Sequence, residues 1–245
     1  MKKLLIVACV FTLASCSPKD WETVGKTATD ILLDQTGSNT PSLTDAEVTG
    51  GLKEALNLGV QTAAGKASAL DGFYRNSEIR IQFPEEAIKV KNTLLDLGLR
   101  EPVRDFERTL NRAAEEASKE AAPVCLDAIT SMSITDAWGI LKGDQYAATD
   151  YLQRTTTADL RAKFAPIAKA AIEKVELTKY WNPLATKYNA IPTVEKVNPD
   201  LDAYVTDQAI IGLFKLVRTE ERKIRKDPAA RVTDLLKKVF AEQDK

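Results

Sequence analysis

The sequence predicts an all-α protein, an irregular multi-helix bundle. Three observations support this fold class. After residue 44, apolar residues recur at helical spacing in most segments; start and stop signals for helices separate those segments; and only residues 78–83 alternate with a period of two. With 44% apolar residues over 245 positions, the chain is long enough to bury one core.

The first 15 residues have the pattern of a signal peptide. Lys2 and Lys3 precede an apolar run over residues 4–13, which is too short to cross a bilayer core of about 30 Å as a helix. The run ends in Leu-Ala-Ser-Cys, which resembles the lipobox of bacterial lipoproteins and predicts that Cys16 carries acyl chains such as palmitate. The alternative is an ordinary secretory signal that contains a cysteine. Because Ser17 rather than an aspartate follows, we expect a lipid anchor in the outer membrane, facing the periplasm.

The mature chain divides into an anchor region and one domain. Residues 16–43 are predicted to form the lipidated anchor, a short amphipathic helix over residues 20–33 and a polar flexible tether. Residues 44–240 are predicted to form a single helical domain, followed by a polar tail over residues 241–245.

The charge of the chain limits its possible partners, and its cysteine content limits its possible disulfides. Loss of Lys2 and Lys3 with the signal peptide reduces the basic side chains from 34 to 32, against 35 acidic ones, which gives a formal charge of −3. This balance argues against a nucleic-acid partner. Since Cys16 is committed to the lipid, Cys125 has no partner for an intramolecular disulfide.

The first part of the domain carries clear helix signals. Thr44 and Glu47 fit a capping box, so we expect a helix from Asp45 toward Ser68, and its four glycines indicate either close packing against a neighbour or a break. Residues 78–83 are the only strand candidate, because Ile79, Ile81 and Phe83 alternate with polar residues. A second helix is expected to begin at Pro84 and to end at Gly98.

Later boundaries follow from caps, glycines and prolines. A stripe of small apolar residues predicts a long helix that begins near Pro102 and bends or ends at Pro123. The remaining predicted features are caps at Thr135, Asp144 and Thr157, a stop at Gly143, a kink at Pro166, a loop over residues 188–200, a long helix that ends before Pro228, and a last helix through Phe240.

The chain lacks the usual signatures of catalysis and of cofactor binding. It contains no histidine, which removes the commonest general base and the favoured zinc ligand. It also has no glycine-rich phosphate loop, no Cys-x-x-Cys unit and no EF-hand loop. The sequence therefore predicts no catalytic residue, no cofactor and no metal ligand.

One polar cluster is a candidate site: Asn111, Arg112, Glu115 and Glu116. Residues 111 and 115, and residues 112 and 116, lie four apart on a helix whose adjacent face is apolar, so Glu115 is expected to be partly buried. In the functional interpretation Glu115, with Asp136 or Asp150, binds a divalent cation or acts as a general acid. In the structural interpretation, which we favour, Glu115 is an ion-paired group that fixes helix register.

Two further features receive structural interpretations. Cys125 lies among apolar residues and has no histidine to activate it, so we expect a small, unreactive core residue rather than a reactive thiol. A basic run near the C-terminus is interrupted by Glu220 and by Glu221, which can pair with Arg225 four residues on. We expect a solvated face, with contact to anionic headgroups as the alternative. The run comprises Arg218, Arg222, Lys223, Arg225, Lys226 and Arg231.

Several short motifs together resemble a family of bacterial lipoproteins, domain of unknown function 4197. The resemblance covers roughly residues 43–240 and implies one helical domain behind a lipoprotein signal, with no activity that can be carried over. An aromatic residue is usual in that family where this chain has Cys125. The motifs are Asn111-Arg112-Ala113-Ala114-Glu115, Asp136-Ala137, Ile140-Leu141-Lys142-Gly143, Ala148-Thr149-Asp150-Tyr151, Tyr204-Val205-Thr206, Gly212-Leu213-Phe214 and Pro228-Ala229-Ala230-Arg231.

The sequence leaves the function open between two classes. An anchor, a tether and a helical domain favour a binding or scaffolding module that holds an envelope protein near the membrane. A helical bundle can also part to admit a lipid or another hydrophobic molecule, which is an alternative within the binding class. The other class is a histidine-free enzyme that uses Glu115. The oligomeric state is not predicted.

Overall fold

The computed structural model describes residues 43–96, 98–174 and 200–241, together with Trp181, Thr186, Asn189, Ala190, Pro192 and Lys196. The predicted signal peptide, lipidated Cys16, amphipathic helix and most of the tether lie outside the described residues, as does nearly all of the predicted tail. Within the described residues the protein is all-α and has no sheet, which confirms the predicted fold class.

Helix α1 covers Asp45–Ser68 and begins at the predicted capping box. The Thr44 hydroxyl accepts a hydrogen bond from the Glu47 amide at 3.2 Å, and the Glu47 carboxylate accepts one from the Thr44 amide at 3.0 Å. Close packing explains one of the glycines: a Cβ at Gly51 would lie 2.7 Å from the Cγ2 atom of Val239. The expectation of a close neighbour is therefore confirmed at this position.

Residues 71–83 form a segment of turns and extended backbone, which we call the strap, and the strand candidate at 78–83 does not form a strand. The alternation itself is real, because Ile79, Ile81 and Phe83 are buried as expected. No ladder forms because the Asn111 side chain bonds to both backbone groups of Ile81, at 2.8 Å each. A side-chain amide thus takes the place of a neighbouring strand.

The next helices are shorter, and their boundaries partly match the prediction. A 3₁₀ turn at Glu85–Ala87 follows Pro84, then α2 covers Ile88–Asp96 and is followed by Gly98 in the left-handed region at φ 81°. Helix α3 covers Arg100–Ala117, a 3₁₀ turn covers Ser118–Glu120, and α4 covers Ala121–Thr130. The break therefore precedes Pro123, which lies in the first turn of α4, where a missing N–H has no cost.

Three predicted caps are wrong in the middle of the chain, and the first two are those at Thr135 and Thr157. Helix α5 covers Ile134–Lys142 and ends at Gly143 as predicted, but Ser133 caps it instead of Thr135. Helix α6 covers Ala147–Ile172 without interruption, so Thr157 does not start a helix. The Thr157 hydroxyl bonds to the backbone carbonyl four residues earlier, which allows a threonine to remain inside a helix.

The N-terminus of α6 is not capped by Asp144, whose carboxylate accepts from the Tyr146 amide just before the helix. Instead, the Ala148 and Thr149 amides in its first turn donate hydrogen bonds to the carboxylate of Glu221, which lies on a distant helix. Pro166 lies within α6. The predicted cap at Asp144 is therefore wrong, because a tertiary contact satisfies the groups that a local cap would have satisfied.

The C-terminal helices follow the prediction closely. Helix α7 covers Leu201–Lys226 and ends before Pro228. Asp200 caps its N-terminus, because the Asp200 side chain accepts a hydrogen bond from the Ala203 amide. A 3₁₀ turn at Pro228–Ala230 leads to α8, which covers Asp234–Phe240 and is capped by Thr233. In the bundle, α7 packs against α6 and α1, α6 packs against α3, and α8 lies on α1.

Candidate functional site

The candidate Glu115 is buried and is fully engaged by the strap. Its exposed fraction is 4%. One carboxylate oxygen accepts from the Phe73 and Tyr74 amides, at 3.2 Å each, and the other is paired with the Arg112 guanidinium. The guanidinium also binds Asp71 at 2.6 Å. Glu115 therefore holds the turn at the start of the strap, whereas the structural interpretation assigned it to helix register; the burial and the ion pair are those that this interpretation expects.

The neighbours of Glu115 on α3 serve the same segment. Asn111 lies one turn earlier and holds Ile81, and Glu107 lies one turn before that. Glu107 is paired with Arg80 at 2.9 Å and with Lys91 at 2.6 Å. Three buried polar side chains, spaced one turn apart, thus fasten the strap to α3.

The other members of the predicted cluster have different partners. Glu116 is exposed and pairs with Lys119 rather than with Arg112. Asp136 completes the capping box of α5, where hydrogen bonds from the Ser133 side chain and backbone lower the pKa of its carboxyl. Asp150 is exposed and pairs with Arg218 at 2.6 Å. Within the described part of the chain, no hydrogen bond or ion pair joins Asp136 or Asp150 to Glu115.

Glu221 is another buried carboxylate, although the sequence predicts a solvated face at this position. It accepts from the Ala148 and Thr149 amides at 3.0 and 2.8 Å and from the Thr149 hydroxyl at 2.7 Å. It also pairs with Arg225 at 3.0 Å, as predicted, but both side chains are only 7% exposed. A solvated face is therefore wrong for this pair. The signal was available, because Glu221 continues the apolar spacing of Val217 and Ile224 on α7.

The rest of the basic run does not form one continuous charged face. Arg231 is 2% exposed, and its guanidinium donates to the backbone carbonyls of Ile224 and Arg225. Arg218 pairs with Asp150, and Lys223 pairs with Glu220 at 3.2 Å. Because most of these cations are committed within the domain, the arrangement gives little support to the headgroup alternative.

Cys125 is a core residue. It is fully buried, and burial raises the pKa of its thiol to about 11, although a hydrogen bond with Thr156 acts in the opposite direction. A thiol with such a pKa carries almost no thiolate at neutral pH. The prediction of a core cysteine is consistent with this position, and its low reactivity remains a prediction.

Three cavities differ in size and lining. An apolar cavity of about 30 Å³ lies among α1, α7 and α8 and is lined by residues that include Leu52, Gly59, Ile224 and Phe240. A groove of about 380 Å³ lies between α6 and the start of α7. A groove of about 720 Å³ separates α4 from α6. None of these three cavities is lined by Glu115.

The described part of the chain has neither a metal-binding cluster nor a single helix that could span a membrane. It holds no group of three or more Cys, Asp or Glu side chains placed to bind a metal ion. No single helix there has both the length and the apolar character to cross a membrane. One pair, Arg100–Thr130 with Ile134–Lys142, meets the length and composition criteria only when joined across a bend of 108°.

Comparison with known proteins identifies the domain. The family described as "Protein of unknown function (DUF4197)" matches residues 42–241, which is most of the chain. The chain belongs to this family. No curated protein and no solved structure matches it. The family match confirms the resemblance that the sequence motifs indicate, and it covers the described helices from α1 to α8.

Proposed function

We propose that this protein is a lipid-anchored module of the cell envelope that binds or scaffolds another envelope protein. In this proposal Cys16 carries the lipid, the tether spans the distance from the outer membrane, and the helical domain faces the periplasm. Several acyl chains, each contributing about 0.8 kcal/mol per buried CH₂, hold such a protein firmly at the bilayer.

The groove between α4 and α6 is the observation that carries the binding proposal. It has a volume of about 720 Å³ and opens to solvent along two helices. By contrast, the buried carboxylates Glu107, Glu115 and Glu221 are each engaged by cationic side chains or backbone amides of the domain. Polar groups available to a partner are therefore found in the groove rather than at the predicted cluster.

The alternatives fit the geometry less well. A carrier of a lipid needs an apolar cavity, and the one among α1, α7 and α8 has about 30 Å³, enough for only one or two water-sized groups. An enzyme using Glu115 needs that carboxylate to be reachable by substrate, whereas three groups of the domain already bond to it.

Affinity capture of the tagged lipoprotein from its own envelope tests the binding proposal. Proteins and lipids that co-purify are identified by mass spectrometry, and the chain carrying Ala128→Arg in the groove is compared with Ala170→Arg, an exposed position on α6 outside it. We expect a reproducible protein partner that Ala128→Arg loses, and that Ala170→Arg and Glu115→Gln retain. Loss of function in cells by a folded Glu115→Gln variant with unchanged partners would instead favour the enzyme.

Membrane attachment is tested separately by fractionation. The chain should partition with membranes, and Cys16→Ser should release it into the soluble fraction. An unmodified cysteine in the first peptide of the mature protein, found by mass spectrometry, would contradict the anchor.

A further inference from the structure

Resting on that proposed function, we infer that the α4–α6 groove binds a helical segment of its protein partner that presents a lysine or arginine side chain. The inference names both the place of binding and the chemistry of the bound segment. It depends on three features of the groove: its length, the size of the side chains that line it, and the distribution of charge on its walls.

The groove has the dimensions of a site for a helix. Its α4 wall is formed by Val124, Asp127, Ala128 and Ser131, which share one helical face. Its α6 wall extends over thirteen residues from Tyr151 to Lys163, and the twelve steps of 1.5 Å between them give a length of about 18 Å. A helical segment of about twelve residues can therefore lie along it, as in other helix-in-groove complexes.

Small side chains on both walls permit close approach. Ala128 and Ser131 on α4 and Thr155 and Ala162 on α6 line the groove. Helix axes pack 8–10 Å apart depending on the side chains at the contact, and small ones allow the shorter distances. Thr156, which also lines the groove, is 1% exposed. A third helix can therefore pack here much as the helices of the bundle pack on one another.

The charge on the walls selects a cationic segment. Three charged side chains line the groove, Asp127 on α4 with Asp159 and Lys163 on α6, so carboxylates outnumber ammonium groups. Asp127 and Asp159 are exposed, and within the described part of the chain neither makes an ion pair. By contrast, Asp150 and Asp207 on neighbouring surfaces are paired with arginines. A partner's ammonium or guanidinium group between the two walls would interact with both carboxylates. The net negative charge of the lining is unfavourable for anionic headgroups.

Site-specific cross-linking in the organism's own cells tests this inference on the full lipoprotein. A photo-reactive amino acid replaces Ala162 in the groove or, as the matched control, Ala170, another exposed alanine of α6. The cross-linked segment is sequenced by mass spectrometry. We expect Ala162, but not Ala170, to capture a segment with helical apolar spacing and at least one lysine or arginine.

Charge dependence is then measured with a synthetic peptide of the captured segment and the purified lipoprotein in detergent. Asp127→Asn with Asp159→Asn should weaken binding about three- to tenfold, since exposed ion pairs contribute modestly. The matched control, Asp105→Asn with Glu116→Gln, removes two charges from the exposed surface of α3 and should leave binding unchanged. Raised salt should weaken only the binding that depends on the groove carboxylates.

The remaining outcomes separate this inference from the proposed function. Capture of an acidic or uncharged segment, of a second copy, or of lipid alone at Ala162 would overturn the inference. Absence of capture at Ala162 would do the same. If affinity capture nevertheless finds a protein partner, the binding function stands and only the groove is wrong. If neither method finds a protein, both proposals fail.

Discussion

Glu115 and Glu221 make the same kinds of contact in two regions of the bundle, but the arginines that pair with them differ in solvent exposure. Each carboxylate accepts from two consecutive backbone amides of a distant segment, and each pairs with an arginine of its own helix. The Arg225 side chain is 7% exposed, whereas that of Arg112 is 34% exposed.

This difference indicates which carboxylate the fold depends on more. Arg112 keeps a second ion pair, with Asp71, and part of its hydration when Glu115 is changed. Arg225 is buried, pairs with Glu221 and also donates to the Ile140 carbonyl at 2.8 Å. Loss of a paired carboxylate is more costly beside a buried guanidinium than beside one that is partly hydrated.

The largest expected effect is therefore that of Glu221→Gln. It removes the charge that Arg225 pairs with in a buried position and turns an amide NH₂ toward the Ala148 and Thr149 amides, which are themselves donors, so we expect a loss of about 3–5 kcal/mol in the free energy of unfolding. Chemical denaturation followed by far-UV circular dichroism measures it. The matched control is Glu116→Gln on the exposed side of α3, which should change stability by less than about 0.5 kcal/mol. A loss at Glu221 no larger than that control would contradict the comparison.

Glu115→Gln is expected to cost less, about 2 kcal/mol by the same measurement. The amide oxygen can still accept from the Phe73 or Tyr74 amide, and Arg112 keeps Asp71. Hydrogen exchange should locate the change, with faster exchange at these two amides and little change in α6. A larger loss than that of Glu221→Gln would reverse our ranking of the two regions.

The sequence predicted what depends on neighbouring residues in the chain. The capping box at Thr44, the stops at Gly98 and Gly143 and the end of α7 before Pro228 were found because each signal acts within one or two turns. The burial of Glu115 was also predicted, because it borders an apolar face of α3.

What the sequence could not predict depends on tertiary contacts. The residues around Thr157 suit both a helix cap and the interior of a helix, so the local pattern alone cannot show that Thr157 lies inside α6. The alternation over residues 78–83 correctly indicates which side chains are buried, but the partner of Ile81 is a side chain 30 residues away rather than a neighbouring strand. The amides at the start of α6 likewise receive their acceptor, Glu221, from 73 residues further along the chain.

Packing around the two carboxylates offers a third test, at Gly212. A Cβ there would lie 2.6 Å from the Cε1 atom of Phe73, whose amide bonds to Glu115, and 3.2 Å from the Cβ atom of Ile79. Because Phe73 is fully buried, it has little room to move, and we expect Gly212→Ala to destabilise the domain by about 1–3 kcal/mol. Thermal or chemical unfolding measures the change. A neutral result would mean that the strap adjusts more easily than its contacts indicate.

A glycine-to-alanine change beside Glu221 is expected to raise the stability of the protein rather than lower it. This is the smallest effect that we predict. Gly59 lines the apolar cavity beside Glu221, and a Cβ there would lie 3.7 Å from the Cβ atom of Glu220 and 4.0 Å from the Cδ1 atom of Ile224, which are ordinary contact distances. Because alanine is favoured over glycine inside a helix and its methyl group would fill empty space, Gly59→Ala should stabilise the protein by about 1 kcal/mol. Gly51→Ala is the matched control on the same helix and should destabilise, since its Cβ would lie 2.7 Å from Val239. Equal effects at the two glycines would show that helix propensity, rather than the space beside Glu221, decides the outcome.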